Sequence, residues 1–428
     1  MELAALYEVF KRCGSICTDN RKVQPGQLFV ALKGDKFDAN DFAAAALESG
    51  AEYALVDKPE VALNHRYILV EDSLKALQDL AAYHRRQLKC PIVAIAGSNG
   101  KTTTKELAHA VLQTSFRTFA TKGNLNNHIG VPLSLLSITG EHELAIIEIG
   151  ANHLGETAAL SALVRPDMGL ITNNGKDHLE GYGSIENVRK ANGELYDYFR
   201  ENGGSVFLYT DAFDLVEMAD GLHVYTYGEG KENYVSGIVK KSAPYMQVHC
   251  TRPEMEIRTQ LFGDYNLPNV LAAIALGQYF KVPENKIKSA IESYLPQGYR
   301  SRLVEAGNMQ LILDCYNANP DSMQAAIRSF AEGGTENKWL VLGDMLELGP
   351  YAEVEHAQML DYVSELHFEK VLLVGPLFKQ ANAEYNFLHF DNSDILKEAW
   401  GELKPEGKSV LLKGSRGIAL EKAVETYL

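Results

Sequence analysis

The chain is 428 residues long, 46% hydrophobic and 23% charged, with a net charge of −15. That length exceeds what one hydrophobic core supports and predicts about three domains, and the composition is that of a folded globular protein. The acidic balance argues against a general binder of nucleic acid or of anionic membranes, both of which need a basic surface; small anionic substrates need only a local basic pocket. No apolar run reaches the roughly 18 residues that cross a bilayer. The start, Met1-Glu-Leu-Ala-Ala-Leu-Tyr-Glu8, lacks the basic opening of a signal peptide, and five cysteines scattered from Cys13 to Cys315 form no disulfide pattern. A cytoplasmic protein without a membrane span is expected.

Residues 1–89 read as a small α/β domain. Gln27–Leu32, Tyr53–Val56 and Tyr67–Val70 have the apolar runs of strands; Phe42–Ser49, closed by Gly50, and Ser73–Lys89 have helical spacing. Thr18-Asp19-Asn20-Arg21 and the stretch from Lys33 to Asp38 lie between them. They are either solvated loops or ligand-facing loops beyond strand ends, where open α/β sheets bind.

Residues 90–297 form a second domain opening on Pro91-Ile-Val-Ala-Ile-Ala96, a buried-strand run, then Gly97-Ser98-Asn99-Gly100-Lys101-Thr102-Thr103-Thr104 and a helical pattern. Strand, glycine loop and helix N-terminus together suit a polyphosphate, because curled backbone N–H groups and the helix dipole favour negative charge. Lys101 would reach the β/γ-phosphates and Thr102 would ligate Mg²⁺. The usual spacing G-x-x-x-x-G-K-[ST] is not met, since Ile95 stands where a glycine belongs; an ordinary turn before a helix is the alternative. The amide-rich stretch from Lys122 to Gly130 contains Asn126 and Asn127 and is either turn chemistry or a ligand loop. Glu148 lies inside an apolar strand, where a carboxylate is costly unless paired or metal-bound, so it is the candidate second Mg²⁺ ligand. A further strand, Met168–Thr172, ends in a polar segment carrying His178, a structural hydrogen bonder or a ligand at the carboxyl end of a strand.

From about 203 to 262 short alternating strands suggest an antiparallel elaboration. Asn266 and Asn269, before the helix starting near Val270, either cap it or bond an adenine edge. Residues 298–428 return to strand–helix alternation, predicting a parallel sheet in a second nucleotide-type fold. Its strand ends carry Asp314-Cys-Tyr-Asn317-Ala-Asn319, Gly343-Asp344-Met-Leu-Glu347 and Lys413-Gly-Ser415-Arg416, read as loop punctuation or as a ligand-facing rim.

The ordered set Gly-Ser-Asn-Gly-Lys-Thr-Thr-Thr, Gly-Asn-Leu-Asn-Asn-His-Ile-Gly, Ile-Glu148-Ile-Gly-Ala-Asn-His, His178-Leu-Glu-Gly-Tyr-Gly, Asn266-Leu-Pro-Asn269, Tyr-Asn-Ala-Asn-Pro-Asp-Ser-Met and Leu-Gly-Asp-Met-Leu-Glu-Leu-Gly resembles the Mur ligases nearly end to end. The resemblance implies a three-domain α/β architecture: a UDP-sugar domain at 1–89, a central P-loop-type ATPase domain at 90–297, and a C-terminal Rossmann-like domain at 298–428. It implies ATP as co-substrate, Mg²⁺, and the joining of D-alanyl-D-alanine to UDP-N-acetylmuramoyl-tripeptide through an acyl phosphate, in a monomer acting on small molecules and not on nucleic acid.

Carried over by position, Lys101, Glu148, His178 and Arg300 resemble catalytic groups, with Arg302 a rival to Arg300. Gly97, Ser98, Asn99, Gly100, Lys101, Thr102 and Thr103 resemble the phosphate loop, Asn269 the adenine contact, and Asp314, Asn317 and Asn319 the ribose end. Thr102, Glu148 and His178 resemble metal ligands. Asp19, Arg21, Lys33, Asn126, Asn127, Lys413, Ser415 and Arg416 resemble substrate contacts, the last three meeting the dipeptide. Many members carry a carbamylated lysine fourteen residues beyond the histidine; here that position is Asn192, which cannot carry the carbamate, and Lys190 falls on nearly the opposite helix face.

Overall fold

The structure, a computed structural model, describes residues 2–34, 36–333 and 337–428. The chain forms two compact units. One comprises Met1–Ala94, Phe116–Ala151 and Glu156–Met168; the other comprises Ile95–Ser115, Asn152–Gly155 and Gly169–Leu428.

In the first unit, Ile16–Cys17, Leu28–Val30, Tyr53–Val56 and Tyr67–Leu69 form a four-stranded sheet in that order, parallel throughout. Alanines at 39, 43, 46 and 54 let the helix Ala43–Glu48 sit close over Phe29 and Val56. Asp72 caps the helix Ser73–Gln87 by accepting from the Lys75 N–H at 2.8 Å. Thr118–Ala120 runs parallel to Leu144–Glu148, and the Ala145 N–H donates to the Pro91 carbonyl at 3.1 Å.

In the second unit, Ser205–Tyr209, Val224–Gly228, Val235–Lys241, Gln247–Arg252 and Glu254–Arg258 are successive neighbours in one sheet. The expected antiparallel elaboration holds only for the last three strands. Ser205–Tyr209 pairs in parallel with Val224–Gly228, the helix Phe213–Met218 between them supplying the crossover; Val224–Gly228 and Val235–Lys241 are also parallel, over the two pairs Tyr227–Val235 and Gly228–Ser236.

The other sheet of this unit runs Arg302–Ala306, Met309–Asp314, Ser409–Lys413, Lys338–Gly343, Lys370–Val374 and Leu388–Phe390. All pairs are parallel except the first, an antiparallel edge hairpin. Its strands alternate between two cores: Ile312, Leu340, Leu342, Val371, Leu373 and Leu411 face one, while Leu311, Leu313, Trp339, Val341, Leu372 and Val410 face the other. Both faces are covered, which is why these strands read as continuous apolar runs. The pairing sets Asp314 beside Lys413 at the carboxyl ends of their strands.

The first unit contains a built-in proton sensor of stability. His84 is 8% exposed, with Nδ1 3.0 Å from the Tyr7 hydroxyl and Nε2 2.7 Å from the Ile138 carbonyl. Burial pushes its pKa below the usual histidine value in spite of the bond to Ile138. The unfolded chain therefore takes up this proton first as pH falls through about 6.5, and stability present above that value is lost on the acid side. Between about pH 7.5 and pH 5.5, the fall in stability seen by urea unfolding should be smaller in His84→Gln than in the parent; equal falls would remove His84 from this role.

Candidate active site

The phosphate loop begins where the buried strand Ile92–Ala96 ends. Ile95 is fully buried inside that strand, so the turn is made by Gly97, and the loop is shorter than the usual spacing. Gly97 and Gly100 have φ of +118° and +83°, the region only glycine enters freely. A Cβ on Gly97 would lie 2.3 Å from the Thr172 Oγ1, and one on Gly100 2.6 Å from the Asn269 Oδ1. The curl is braced from the neighbouring strand end. The Thr172 N–H donates to the Ala96 carbonyl at 2.9 Å and the Ser98 N–H to the Asn173 carbonyl at 2.9 Å. Asn173 also accepts from the Asn99 N–H at 2.9 Å and donates to the Asn99 carbonyl at 3.0 Å. The helix Lys101–Leu112 follows at once. Lys101 Nζ donates to the Gly97 carbonyl and to the Ser98 carbonyl at 3.0 Å, which holds its charge across the loop. Thr102 and Thr103 stand half-buried on the first turn.

Lys101 also faces Asp177, with Nζ 3.8 Å from Oδ2. Asp177 lies 3.6 Å from the Nε2 of His178, whose Nδ1 is 2.6 Å from Glu347 Oε2. Burial alone would push the His178 pKa down, but the bond to Glu347 and the charges of Asp177 and Glu347 outweigh it and the net shift is upward. The same bond holds Glu347 below the usual carboxylate range. Next along, Lys176 pairs with Glu355 at 2.6 Å. Asn192 is 6% exposed and donates to Asn174 Oδ1 at 2.9 Å and to Ser98 Oγ at 3.5 Å, so an uncharged amide bears on the loop at this position.

Asn269 is 6% exposed, accepts from Thr104 at 2.9 Å and donates to Asn266 at 2.9 Å. Asn319 caps the helix Pro320–Glu332 and donates to Asn99 Oδ1 at 2.8 Å, reaching the phosphate loop. Asp314 and Lys413 form a buried ion pair at 2.7 Å, their side chains 11% and 4% exposed; Lys413 also donates to the Asn317 carbonyl at 3.4 Å. Ser415 accepts from the Leu346 N–H at 2.9 Å. Arg416 pairs with Glu421 and lies 5.5 Å from the Tyr299 ring centre. Arg300 stacks on Tyr316 at 3.6 Å, whereas Arg302 starts the edge strand.

The remaining expected residues belong to the first unit. Glu148 is 2% exposed and accepts from Asn126 Nδ2 at 2.8 Å. Asn127 Oδ1 accepts from the N–H groups of Ile129 and Gly130 at 3.1 and 2.9 Å, a capping role. Asp19 and Arg21 form a two-pronged pair at 2.8 and 2.9 Å. Lys33 pairs at 3.0 Å with Asp57, which also accepts from Asn40 at 2.8 Å and from the Ser73 N–H at 3.2 Å. Asp57, Asn173, Asp177 and Glu347 were absent from the site expected above. Glu347 belongs to the strand-end stretch Gly343–Glu347, and Asn173 and Asp177 to the polar segment after Met168–Thr172, so these three carried a signal; nothing local marks Asp57.

Each unit carries an oxygen donor of the kind magnesium takes. Magnesium takes oxygen ligands, keeps several waters and uses one or two protein groups. In the second unit Thr102 offers a hydroxyl next to the loop; in the first, taken by itself, Glu148 offers a buried carboxylate. Among the described residues no three His, Cys, Asp or Glu side chains converge as an all-protein cage would.

A glycine curl before a helix N-terminus, with a lysine laid across it, defines a phosphate-loop α/β nucleotide-binding protein. Comparison narrows the class. The Mur ligase middle domain matches residues 95–277, the Mur ligase glutamate ligase domain residues 299–416, and the Mur ligase family catalytic domain residues 13–85. The UDP-N-acetylmuramoyl-tripeptide–D-alanyl-D-alanine ligase of Bacillus subtilis is 36% identical over 425 residues, covering 96% of this chain and 93% of that protein. The Escherichia coli enzyme of the same name is 36% identical over 424 residues, covering 96% and 92%. The crystal structure of MurF from Acinetobacter baumannii superposes with a TM-score of 0.86 at 30% identity, covering 96% of this chain and 93% of that one. The chain belongs to the Mur ligase family.

Two substitutions probe this geometry. Gly97→Ala should lower stability by about 1–3 kcal/mol and weaken binding of an ATP analogue about tenfold or more, read by urea unfolding and calorimetry; unchanged affinity would show that the curl is not the phosphate cradle. Lys413→Met leaves Asp314 buried without its partner and should cost about 3 kcal/mol in urea unfolding, whereas a neutral result would mean that Asp314 is held otherwise.

Proposed function

We propose that this chain uses ATP to join D-alanyl-D-alanine to the terminal carboxylate of UDP-N-acetylmuramoyl-tripeptide, yielding the pentapeptide precursor of peptidoglycan. The proposal is carried by a braced phosphate loop in a chain 36% identical over nearly its whole length to a ligase of that name. Its sequence modules are assigned as 1–89 for the UDP sugar, 90–297 for ATP and 298–428 for the incoming dipeptide, and it acts as a monomer in the cytoplasm.

A carboxylate is a poor acyl donor at neutral pH. The reaction therefore passes the γ-phosphoryl group to the tripeptide carboxylate, giving an acyl phosphate and ADP. The neutral amine of D-alanyl-D-alanine then attacks the acyl carbon. The tetrahedral intermediate loses inorganic phosphate and the amine its proton, leaving the amide. Such transfers need positioning and charge stabilisation more than covalent help from the protein. The loop N–H groups and Lys101 hold the outer phosphates, and Arg300 faces the charge that develops there. Thr102, Glu148 and His178 would hold magnesium, which would neutralise phosphate charge there. Asn269 serves the adenine end, and Asp314, Asn317 and Asn319 the ribose end. Asn126 and Asn127 shape the loop that the UDP-peptide meets, and Asp19, Arg21 and Lys33 contact the UDP end. Arg416 reaches the dipeptide, while Lys413 and Ser415, both buried, shape its binding loop.

Purified protein with ATP, magnesium chloride, UDP-N-acetylmuramoyl-tripeptide and D-alanyl-D-alanine should release phosphate and form the pentapeptide, detected by mass spectrometry. Release supported only by single amino acids would refute the dipeptide assignment. Lys101→Ala should reduce turnover on the order of 10²–10³-fold while leaving UDP-substrate binding in place; near-parental turnover would take Lys101 out of phosphate transfer.

A further inference from the structure

His178 and Glu347 are both non-glycine residues in the left-handed backbone region, with φ of +48° and +65°, and they meet at 2.6 Å. Such conformations persist only where the surroundings over-determine them, and they gather at functional sites. The turn that ends in Glu347 is pinned on every side. The Met345 N–H donates to His356 Nε2 at 3.0 Å and the Leu346 N–H to Ser415 Oγ at 2.9 Å. The Glu347 carbonyl accepts from the Glu180 N–H at 3.0 Å, and the Tyr351 hydroxyl donates to the Gly183 carbonyl at 2.7 Å. Glu347 therefore grips both ends of the first turn after His178, by side chain and by backbone.

We propose that Glu347 is a positioning residue for His178, its carboxylate fixing the imidazole with the proton on Nδ1 and Nε2 turned toward Asp177 and the phosphate-loop lysine. An ionised carboxylate only accepts, so the nitrogen against it must carry hydrogen. Which ring nitrogen is left to act is decided by the bond the other one makes. Nε2 then lies 3.6 Å from Asp177, which in turn faces Lys101 at 3.8 Å. Glu347 comes from the region matched as the glutamate ligase domain and His178 from the middle domain. Seating of the one on the other thus sets the ring that the other presents to the nucleotide. This rests on the reading of His178 as a group of the ATP site.

Two measurements on the full chain test it. In nucleotide-free protein with ¹⁵N-labelled histidine at alkaline pH, the long-range ¹⁵N–¹H spectrum should show the His178 proton on Nδ1, a state retained in E347Q, whose amide oxygen still accepts, and lost in E347A. In the ligation assay, E347A should lower kcat about tenfold with little change in KM for ATP, and E347Q should restore most of it. A parental spectrum with the proton on Nε2 overturns the proposal, as does an E347A protein with parental tautomer and kcat. The parental spectrum decides even if E347A misfolds. It is also independent of turnover, so a protein that makes no pentapeptide refutes the function without touching the tautomer result.

Discussion

The site depends on one backbone curl that a side chain would destroy. Between Ala96 and Lys101 the chain must leave a buried strand, fold its N–H groups inward and enter a helix within four residues, and it does so by two positive-φ glycines packed against Thr172 and Asn269. Every other placement radiates from that curl. Asn99 is tied to Asn173 and Asn319, Thr104 to Asn269, and Lys101 lies across the loop toward Asp177 and His178. Because each brace is a directional hydrogen bond to a buried or half-buried partner, the loop is pre-shaped for its ligand, which spares the ordering cost of forming it on binding.

The charged residues fall into two kinds with different energetics. Asp314 and Lys413 are nearly dry, and each neutralises the other at the carboxyl ends of their strands in the C-terminal sheet. Lys33 is half exposed over an Asp57 whose side chain is only 7% exposed, whereas Asp19 and Arg21 sit at the water interface. There an ion pair is worth about 0–1 kcal/mol and is readily exchanged for a ligand's charge. The exposed members, Arg21 and Lys33, are the ones free to reach across a binding surface.

What could be read from the sequence was local. The glycine loop, the buried strands at 92–96, 144–148, 338–343 and 370–374, and the helix capped by Asp72 are legible because their signals lie within a few residues of one another. The edge strand Arg302–Ala306 was not, because half-exposed positions tolerate arginine and glutamate and blur the alternation. Nor was the parallel pairing of Ser205–Tyr209 with Val224–Gly228, since a helix of six residues gives too few turns for a clear period. At the site, the amide-rich stretch holding Asn127 reads as turn chemistry or as a ligand loop, and the Asn127 side-chain oxygen accepts from the N–H groups of Ile129 and Gly130. The partnerships of His178 with Glu347 and of Lys413 with Asp314 join residues far apart in the chain, which no local pattern encodes.

The apolar cluster under the Glu347 turn has a consequence for how the protein comes apart. Leu179, Tyr182, Val188, Ala191 and Phe262, from the middle family region, are buried in one continuous core with Ile312, Met323, Leu342, Met345 and Leu348 from the last. Two inherited modules thus share a single oil-like interior. Heat or denaturant will meet them as one cooperative block, and a gene fragment ending between them would display a raw greasy face in place of a finished surface.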